Sequence, residues 1–336
     1  ESTGSRHRVA LNSSKCIAID AMGGEGGPST TVAATLLALQ QNPMLSVILV
    51  GDERVIRSSA PTLEAFSGRY DIVHTPKTFL DTDKPASILR SGRDSSLYRC
   101  VEIHQQGQAS AVVSAGNTGA LLLLGRHLLK TVEGVELPAI VATLPDINSK
   151  ALLLDVGANL ACSPRQLEQF AIMGSVLAQK QFGCAPRVAL LNVGAEEYKG
   201  TADVQETARL LETQETINFS GFVEANAVFE GHAEVIVCDG FVGNVMIKAS
   251  AGAVNALISQ IISNITVSEE ASIRAVYSRL NPQRFNGATL LGLQGNIVKS
   301  HGNADIFGFS CAINQAYNEQ RDAIPSLIRE AIASAA

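Results

Sequence analysis

Eight short apolar runs rich in β-branched residues recur along the chain, and they limit its fold more than any other feature of the sequence. They cover residues 16–21, 45–51, 70–75, 110–115, 139–144, 151–157, 187–194 and 234–239. Most are apolar on both faces, which is typical of strands buried in a parallel sheet. Segments with helical periodicity lie between several of them, at 29–41, 84–106, 117–130, 164–182 and 200–213. This alternation predicts βαβ units, and therefore an α/β fold with an open, mostly parallel sheet flanked by helices.

The chain is long enough for a large core, since its 336 residues are 46% hydrophobic. We predict a single α/β domain over residues 15–336, preceded by a polar tail, 1–14, that is disordered or left over from expression. After Asp239 the pattern becomes mostly helical and predicts a helical arm over 242–285. Apolar residues follow helical spacing in this arm: Val254, Leu257, Ile258, Ile261, Ile262 and Ile265. Such a stripe is typical of a core face or a dimer seam, with a membrane-facing role as the alternative.

Charge and motifs argue against several classes of function. The net charge of −6 disfavours nonspecific nucleic-acid binding. The six cysteines are scattered without zinc spacing, so we expect no metal site. The first glycine turn, GGEGGP, does not complete G-x-G-x-x-G, and no G-x-x-x-x-G-K-[ST] or G-x-S-x-G motif occurs. We therefore expect no cofactor. The lack of a signal peptide and of an uninterrupted apolar run of about 18 residues predicts a soluble, cytoplasmic protein.

Polar, glycine-rich turns follow five of the predicted strands. They are MGGEGGP (22–28), GNTG (116–119), AN (158–159), AEEYKG (195–200) and GFVGN (240–244). Ligands of open α/β sheets bind beyond the carboxyl ends of the strands, and glycine lets backbone N–H groups approach an anion. The five turns together predict an anion site, most of all for phosphate. Each turn alone is equally consistent with ordinary turn chemistry.

Six segments, in order along the chain, resemble the phosphate acyltransferases of the PlsX type. They are DAMGGEGGP (20–28), VSAGNTGAL (113–121), DVGAN (155–159), Lys199-Gly200, CDGFVGNV (238–245) and KSHGNAD (299–305), and the resemblance covers about residues 15–321. It implies transfer of a fatty acyl group from acyl-acyl carrier protein to inorganic phosphate, giving acyl phosphate for phospholipid synthesis. It also implies a homodimer with a Rossmann-like fold, similar to phosphotransacetylases and to isocitrate and isopropylmalate dehydrogenases. Two departures are Glu25 and Ala161, since the family usually has aspartate at both positions.

The resemblance and the strand-end turns together imply the residues of the site. Attack of phosphate on a thioester requires a positioned anion and a stabilised oxyanion rather than a nucleophile triad. Lys199 and Lys299 would supply positive charge, and Asp239 would orient a lysine or accept a phosphate proton. His301 would protonate the leaving sulfur. The substrate- and phosphate-binding candidates are Asp20, Gly23, Gly24, Ser114, Gly116, Asn117, Asn159, Gly243, Asn244 and Ser300.

The catalytic candidates have structural alternatives. Lys199 also fits a solvated lysine at a helix entry, and Asp239 fits a helix N-cap. His301 is equally suited to holding a backbone carbonyl, and Asp20 to a structural turn. The polar stretch within 292–309 is predicted to be a loop that forms one wall of the site.

The partners expected from this interpretation are acyl carrier protein and inorganic phosphate, with no nucleic acid. Segment 271–284 contains Arg274, Arg279 and Arg284 and no acidic residue, so we predict that it receives the acidic carrier protein or, alternatively, anionic lipid. The second case would place the protein peripherally at the inner face of the membrane. Two other functions stay open: a phosphotransacetylase-like enzyme that uses acyl-CoA, and a membrane-surface scaffold of lipid synthesis.

Overall fold

The structure, a computed structural model, describes residues 16–145, 150–264 and 281–335. Contacts divide the chain into two compact units. Unit 1 contains the described residues up to Lys130 together with Gly295–Arg321, and unit 2 contains those of Thr131–Gln294 and the residues from Asp322 onwards. The sequence predicts one domain over 15–336, and that the two units act as one catalytic domain stays a prediction. The predicted tail, 1–14, lies outside the described residues.

Unit 1 contains five neighbouring parallel strands in the order β3-β2-β1-β4-β11. They are β1 (Cys16–Asp20), β2 (Ser46–Gly51), β3 (Tyr70–His74), β4 (Ala111–Ser114) and β11 (Asn296–Lys299). All residues of β1 and β4 are buried. Burial on both faces explains why these runs are apolar throughout instead of alternating.

The helices of unit 1 cover the strands. They are α1 (Gly27–Gln41), α2 (Glu53–Ser59), α3 (Ile88–Ser91), α4 (Ser96–Gln105), α5 (Thr118–Leu124) and α9 (Ile306–Arg321). Pro28 lies in the first turn of α1, where its missing N–H is not needed. The Thr31 hydroxyl donates a 2.6 Å hydrogen bond to the carbonyl of Ala21, which fixes α1 against the residue that follows β1. Apolar residues of α1 and α9, such as Leu39 and Phe309, complete the core of this unit.

Unit 2 contains six strands in the order β10-β5-β6-β9-β7-β8. They are β5 (Ala139–Pro145), β6 (Lys150–Leu154), β7 (Arg187–Asn192), β8 (Asn218–Glu224), β9 (Val235–Val237) and β10 (Ala288–Leu291). Strand β5 is antiparallel to both of its neighbours. Strands β6, β9, β7 and β8 are parallel, so their carboxyl ends lie at one edge.

The helices of unit 2 are α6 (Pro164–Phe182), α7 (Ala202–Thr213), α8 (Gly240–Asn264) and α10 (Ile324–Ser334). Local signals fix both ends of α6. Ser163 and Gln166 form a reciprocal capping box at its start, and Gly183 ends it in the left-handed conformation at φ 73°. Phe170 and Met173 on α6 are fully buried in the core of this unit.

The predicted fold class is confirmed, and all eight predicted strands are present as β1 to β7 and β9. The predicted helix over 84–106 is interrupted: a 3₁₀ turn at Pro85–Ser87 and the short α3 precede Gly92, and α4 begins afresh after the N-cap Ser95. Strands β8, β10 and β11 were not predicted. The interpretation of 292–309 as a loop is wrong for Asn296–Lys299, because these residues pair with β4 as a parallel strand.

Parts of the segment 242–285 are helical, and its role as an arm stays a prediction. Helix α8 begins at Gly240 and ends at Asn264, and Pro282–Phe285 forms a 3₁₀ turn. Residues 265–280 lie outside the described residues, and with them Ile265, Arg274 and Arg279. Gly240–Ile261 is long and apolar enough to cross a membrane by length and composition, with a mean hydropathy of 1.4, and only 11% of it is buried. This test tolerates scattered polar residues, such as Asn244 and Lys248 in α8, so the prediction that no uninterrupted apolar run of about 18 residues occurs is unaffected.

Candidate active site

Three candidate residues of unit 1 end neighbouring strands. Asp20 ends β1, Ser114 ends β4 and Lys299 ends β11. In the parallel register Lys299 lies opposite Ser114, and Ile19 lies opposite Val113 one residue earlier. The three side chains therefore lie at the same edge of the sheet, as the predicted strand-end site requires.

Asp20 is a buried carboxyl that joins two of these strand ends. Its side chain accepts a 2.7 Å hydrogen bond from the hydroxyl of Ser114 and a 3.3 Å bond from the backbone N–H of Met22. The Ser114 hydroxyl in turn accepts a bond from the N–H of Gly116 at 3.0 Å. Burial raises the pKa of Asp20, and its hydrogen bonds and the charge of Lys299 act in the opposite direction. Asp20 thus holds the strand ends together as well as carrying an acidic group.

The first glycine turn lies directly on this cluster. A Cβ atom on Gly23 would come within 2.7 Å of the Asp20 carboxylate and 2.8 Å of the Gly116 nitrogen. Gly24 has φ +82°, which side chains other than that of glycine rarely allow. The N–H of Glu25 donates a 2.8 Å bond to the carbonyl of Gly302. The turns after β1, β4 and β11 are therefore joined by direct contacts, and both glycines are needed for the close approach.

Lys299 is largely surrounded by protein. Its ammonium donates hydrogen bonds to the carbonyl oxygens of Ala115, at 3.2 Å, and Ser300. Burial lowers the pKa of Lys299 to about 8, while the charges of Asp81 and Asp20 act to raise it. Ser300 is fully buried, whereas the His301 side chain is exposed. Lys299 therefore changes charge near pH 8, which is well below the range of an ordinary surface lysine.

Asn117 is the N-cap of α5. Its side-chain oxygen accepts a 2.9 Å bond from the N–H of Ala120. Its amide group donates to the carbonyl oxygens of Asp81 and Asp83, at 3.1 and 3.2 Å. These bonds give Asn117 a structural role, and its contact with substrate stays a prediction.

The corresponding centre of unit 2 is Asp155, which the sequence analysis did not select. Its buried carboxylate accepts hydrogen bonds of 2.7–3.1 Å from four backbone N–H groups, those of Ile140, Gly157, Ala158 and Asn159. The Asn159 amide adds a fifth bond at 2.9 Å. Burial raises the pKa of Asp155, and these hydrogen bonds act to lower it. Asp155 thus shapes the DVGAN turn after β6.

The turn that follows β9 packs tightly against this centre. The Gly240 N–H donates a 2.7 Å bond to the carbonyl of Asn159. A Cβ atom on Gly243 would lie 1.9 Å from the carbonyl oxygen of Asp155, so no side chain fits there. Asn244 lies beside Gly157, within 3.6 Å of where a Cβ would be. Asp239 accepts a 2.8 Å bond from the N–H of Val242 and so caps the start of α8.

The amide group of Asn159 donates hydrogen bonds to the carbonyl of Pro138 and to the carboxylate of Asp155. Both of its N–H bonds are therefore used within the protein.

Lys199 lies in the turn after β7. Its side chain folds over Gly194, where an added Cβ would lie 2.8 Å from the ammonium nitrogen. The ammonium forms a 2.8 Å ion pair with Glu196, and this hydrogen bond raises the pKa of Lys199. Lys199 is accordingly charged at neutral pH. Since β7 pairs with β9, its turn is the neighbour of the turn that contains Asp239 and Gly240.

The described residues include no group of three or more histidine, cysteine or acidic side chains that could hold a metal ion. All six cysteines are free. Burial raises the pKa of Cys16 and of Cys162 to about 12, so neither is a thiolate at neutral pH. Among the described residues the charged groups at the strand ends are therefore lysines and carboxylates.

The fold is that of the phosphotransacetylases. The chain superposes on a phosphotransacetylase from Streptococcus pyogenes with a TM-score of 0.62, at 15% identity, over 93% of this chain and 95% of that one. The EutD phosphotransacetylase from Staphylococcus aureus gives a TM-score of 0.57, at 18% identity, over 93% and 94%.

Sequence comparison identifies the family. Residues 16–325 match the family described as fatty acid synthesis protein. The phosphate acyltransferase of Shewanella putrefaciens is 43% identical over 333 residues, which span 95% of this chain and 96% of the relative. That of Vibrio campbellii is 42% identical over 325 residues, 94% and 95% of the two chains. The chain belongs to this fatty acid synthesis protein family and is a phosphate acyltransferase.

Proposed function

We propose that this acyltransferase takes its fatty acyl group from acyl-acyl carrier protein, transfers it to inorganic phosphate, and supplies acyl phosphate for phospholipid synthesis. The proposal is carried by the pairing of lysines with glycine turns at the strand ends in a chain 43% identical to a phosphate acyltransferase. Backbone N–H groups and ammonium groups suit an anionic nucleophile and the oxyanion formed when it attacks.

In the proposed reaction a phosphate oxygen attacks the thioester carbon, forms the C–O bond, and displaces the carrier's thiolate as the C–S bond breaks. Lys199, charged and half-exposed, binds an anionic oxygen, and Asn244 offers an amide donor from the neighbouring turn. Asp239 orients these groups through the start of α8. In unit 1, Lys299 supplies charge that depends on pH near 8, and His301 protonates the leaving sulfur. Asp20 and Ser114 hold Lys299 and the first glycine turn in place.

The test is incubation of the purified protein with acyl-acyl carrier protein and labelled phosphate. We expect labelled acyl phosphate to form without added metal or nucleotide. Acyl-CoA in place of the carrier substrate should react with much lower kcat/KM. Equal or better use of acyl-CoA would favour the phosphotransacetylase-like alternative, and activity abolished by EDTA and restored by a metal would overturn the mechanism.

A membrane-surface role has one observation in its favour, the exposed apolar surface of α8. We propose a cytoplasmic enzyme with peripheral contact at the inner face of the membrane. Flotation with anionic vesicles in the presence and absence of salt tests this contact. A catalytically inactive protein that still floats would favour the scaffold function.

A further inference from the structure

Large apolar side chains are exposed in the three segments that carry the unit 2 site residues: the turns after β6 and β7, and the start of α8 after β9. They are Leu160 after β6, Val193 and Tyr198 after β7, and Phe241, Val242 and Val245 after β9. We name these six side chains the apolar rim. Val193, Tyr198 and Leu160 are 78%, 77% and 74% exposed. Scattered exposed apolar residues are normal on a protein surface, but a concentration of large ones is typical of a binding surface.

Hydrogen bonds and register bring the members of the rim to one edge. The Gly240 N–H donates a 2.7 Å hydrogen bond to the Asn159 carbonyl. Leu160 follows Asn159 in the chain and Phe241 follows Gly240, so this bond joins the two segments that carry them. In the pairing of β7 with β9, Leu190 lies opposite Val237. Val193 is three residues after Leu190, and Gly240 is three residues after Val237, so both lie beyond the same ends of these strands. Tyr198 lies in the same turn as Val193. The rim residues therefore all follow the carboxyl ends of β6, β9 and β7, at one edge of the sheet.

The rim does not contribute to the folded core. The buried residues of these turns, such as Cys238 and Gly243, already fill the space beneath them. Polar residues would cost no packing energy at such exposed positions, so folding alone does not account for large apolar side chains there.

The polar groups inside the rim indicate its occupant. Lys199 immediately follows Tyr198 in the turn after β7, which also contains Val193, and Asn244 immediately precedes Val245. A cation and an amide in the same segments as exposed apolar side chains match a ligand with an anionic or polar reacting head and an apolar tail. The acyl thioester substrate and the acyl phosphate product of a phosphate acyltransferase both have this form.

We propose that the apolar rim binds the fatty acyl chain of the substrate and sets the preference for chain length. This inference rests on the proposed function, and adds the residues that contact the acyl chain. Each methylene that leaves water completely should strengthen binding by up to about fourfold. The rate should therefore rise with chain length until the chain extends past the rim.

The experiment measures kcat/KM for carrier substrates with acyl chains of four to sixteen carbons. In the wild type we expect a steep rise with length. The variants Leu160→Ser, Tyr198→Ser and Phe241→Ser should each lose roughly tenfold in kcat/KM for the long chains and little for the shortest, mainly through KM. Met44→Ser, which changes an exposed apolar residue of unit 1, should keep the wild-type profile.

A binding measurement separates this inference from the proposed function. Calorimetry measures the Kd of a long-chain and of a short-chain acyl phosphonate without any turnover. In the rim variants the difference between the two Kd values should shrink. Absence of acyl phosphate formation by the wild type would contradict the proposed function. An active wild type whose rim variants lose equally for short and long chains would overturn the rim. Two other results would also overturn the inference. A change of sedimentation mass in the variants would assign the rim to contact with a second copy of the chain. Loss of vesicle flotation with the chain-length profile intact would assign it to the membrane.

Discussion

The hydroxyl of Ser114 donates a 2.7 Å hydrogen bond to the carboxyl of Asp20, although the two residues are 94 positions apart in the chain. Both are essentially inaccessible to solvent, and each ends a strand. This bond links the first glycine turn to the turn after β4, and its properties can be tested through the pH dependence of stability.

We expect the charge of Asp20 to reduce stability. Because its pKa is raised in the folded protein, the folded state binds this proton more tightly than the unfolded state does. The resulting stabilisation is complete below the ordinary aspartate pKa and is lost as pH rises through the raised value. Asp20→Asn removes this dependence, so its free energy of unfolding should improve relative to wild type as pH rises from 3 through that range. Urea unfolding at a series of pH values measures the difference. A constant difference between the two proteins would show that Asp20 has an ordinary pKa.

Lys299 should make phosphate binding sensitive to pH. Its charged fraction falls above its pKa of about 8, and so the KM for phosphate should rise by up to about tenfold per pH unit beyond that point. Lys299→Arg keeps its charge throughout this range and should show a flat profile. Initial rates of acyl phosphate formation between pH 7 and 9.5 give both values. Lys180→Ala, a change at an exposed lysine, is the matched control and should follow the wild type. The same rise in Lys299→Arg would remove Lys299 from phosphate binding.

Lys199 and Glu196 form an ion pair, and we expect only the lysine to be required for activity. Lys199→Ala should lower kcat by orders of magnitude, because the developing oxyanion loses a positive charge. Glu196→Gln breaks the same 2.8 Å pair but keeps the lysine charged, and should retain most of the activity. The melting temperature should change little in both variants, because exposed ion pairs contribute little to stability. Equal loss of activity in the two variants would indicate that the pair itself, rather than the lysine charge, is required.

Two glycines of α8 should respond oppositely to alanine. Gly243→Ala places a methyl group 1.9 Å from the carbonyl oxygen of Asp155, where backbone must move, so we expect severe destabilisation or failure to fold. Gly252 has no atom within 4 Å of its added Cβ. Gly252→Ala should therefore stabilise the protein by about 0.5–1 kcal/mol through helix propensity. Thermal unfolding compares the two, and a tolerated Gly243→Ala would contradict the packing described for the turn after β9.

We predict a homodimer formed through the apolar stripe of α8. Leu257 is 62% exposed, and the helix is mostly uncovered within the described chain. Leu257→Glu should dissociate the dimer into monomers of 35.4 kDa. Sedimentation equilibrium at micromolar concentration measures the mass, with Lys248→Glu on the same helix as the control. A monomeric wild type would contradict the prediction.

The sequence predicts those strands whose residues follow a simple local pattern. Buried parallel strands such as β1 and β4 are apolar on both faces, and for that reason they were found from short windows. Strand β8 was missed because Gly221 and the polar residues of NFSGFVE interrupt its apolar run. The register shift between Val188 and Leu190 of its partner strand is visible only in the structure. Strand β11 was missed because it ends in a lysine, a residue that rarely fits a central strand. The lysine is accommodated there since its ammonium donates to two carbonyl oxygens.

In the candidate site, features of short sequence segments were predicted, whereas contacts between distant residues were not. Glycine turns at the ends of strands were visible in the sequence, and the structure brings those of each unit together. The role of Asp155 was not visible, and Asp20 was selected without the partner that fixes it. Asp155 accepts a bond from Ile140, 15 residues away, and Asp20 depends on Ser114. The sequence does not reveal the donors that are far away in the chain, Ile140 for Asp155 and Ser114 for Asp20.

The composition of unit 1 has a consequence for synthesis on the ribosome. Strand β11 and helix α9 belong to this unit, yet they are made only after the strands of unit 2. Until they emerge, β4 has β1 as its sole neighbour within the unit and the apolar face of α1 lacks its partner α9. The nascent N-terminal segment therefore carries an open strand edge and uncovered apolar surface, both of which favour aggregation and chaperone binding. A chain that terminates early, before Gly295, would leave not only a shortened protein but an N-terminal half that cannot complete its own core.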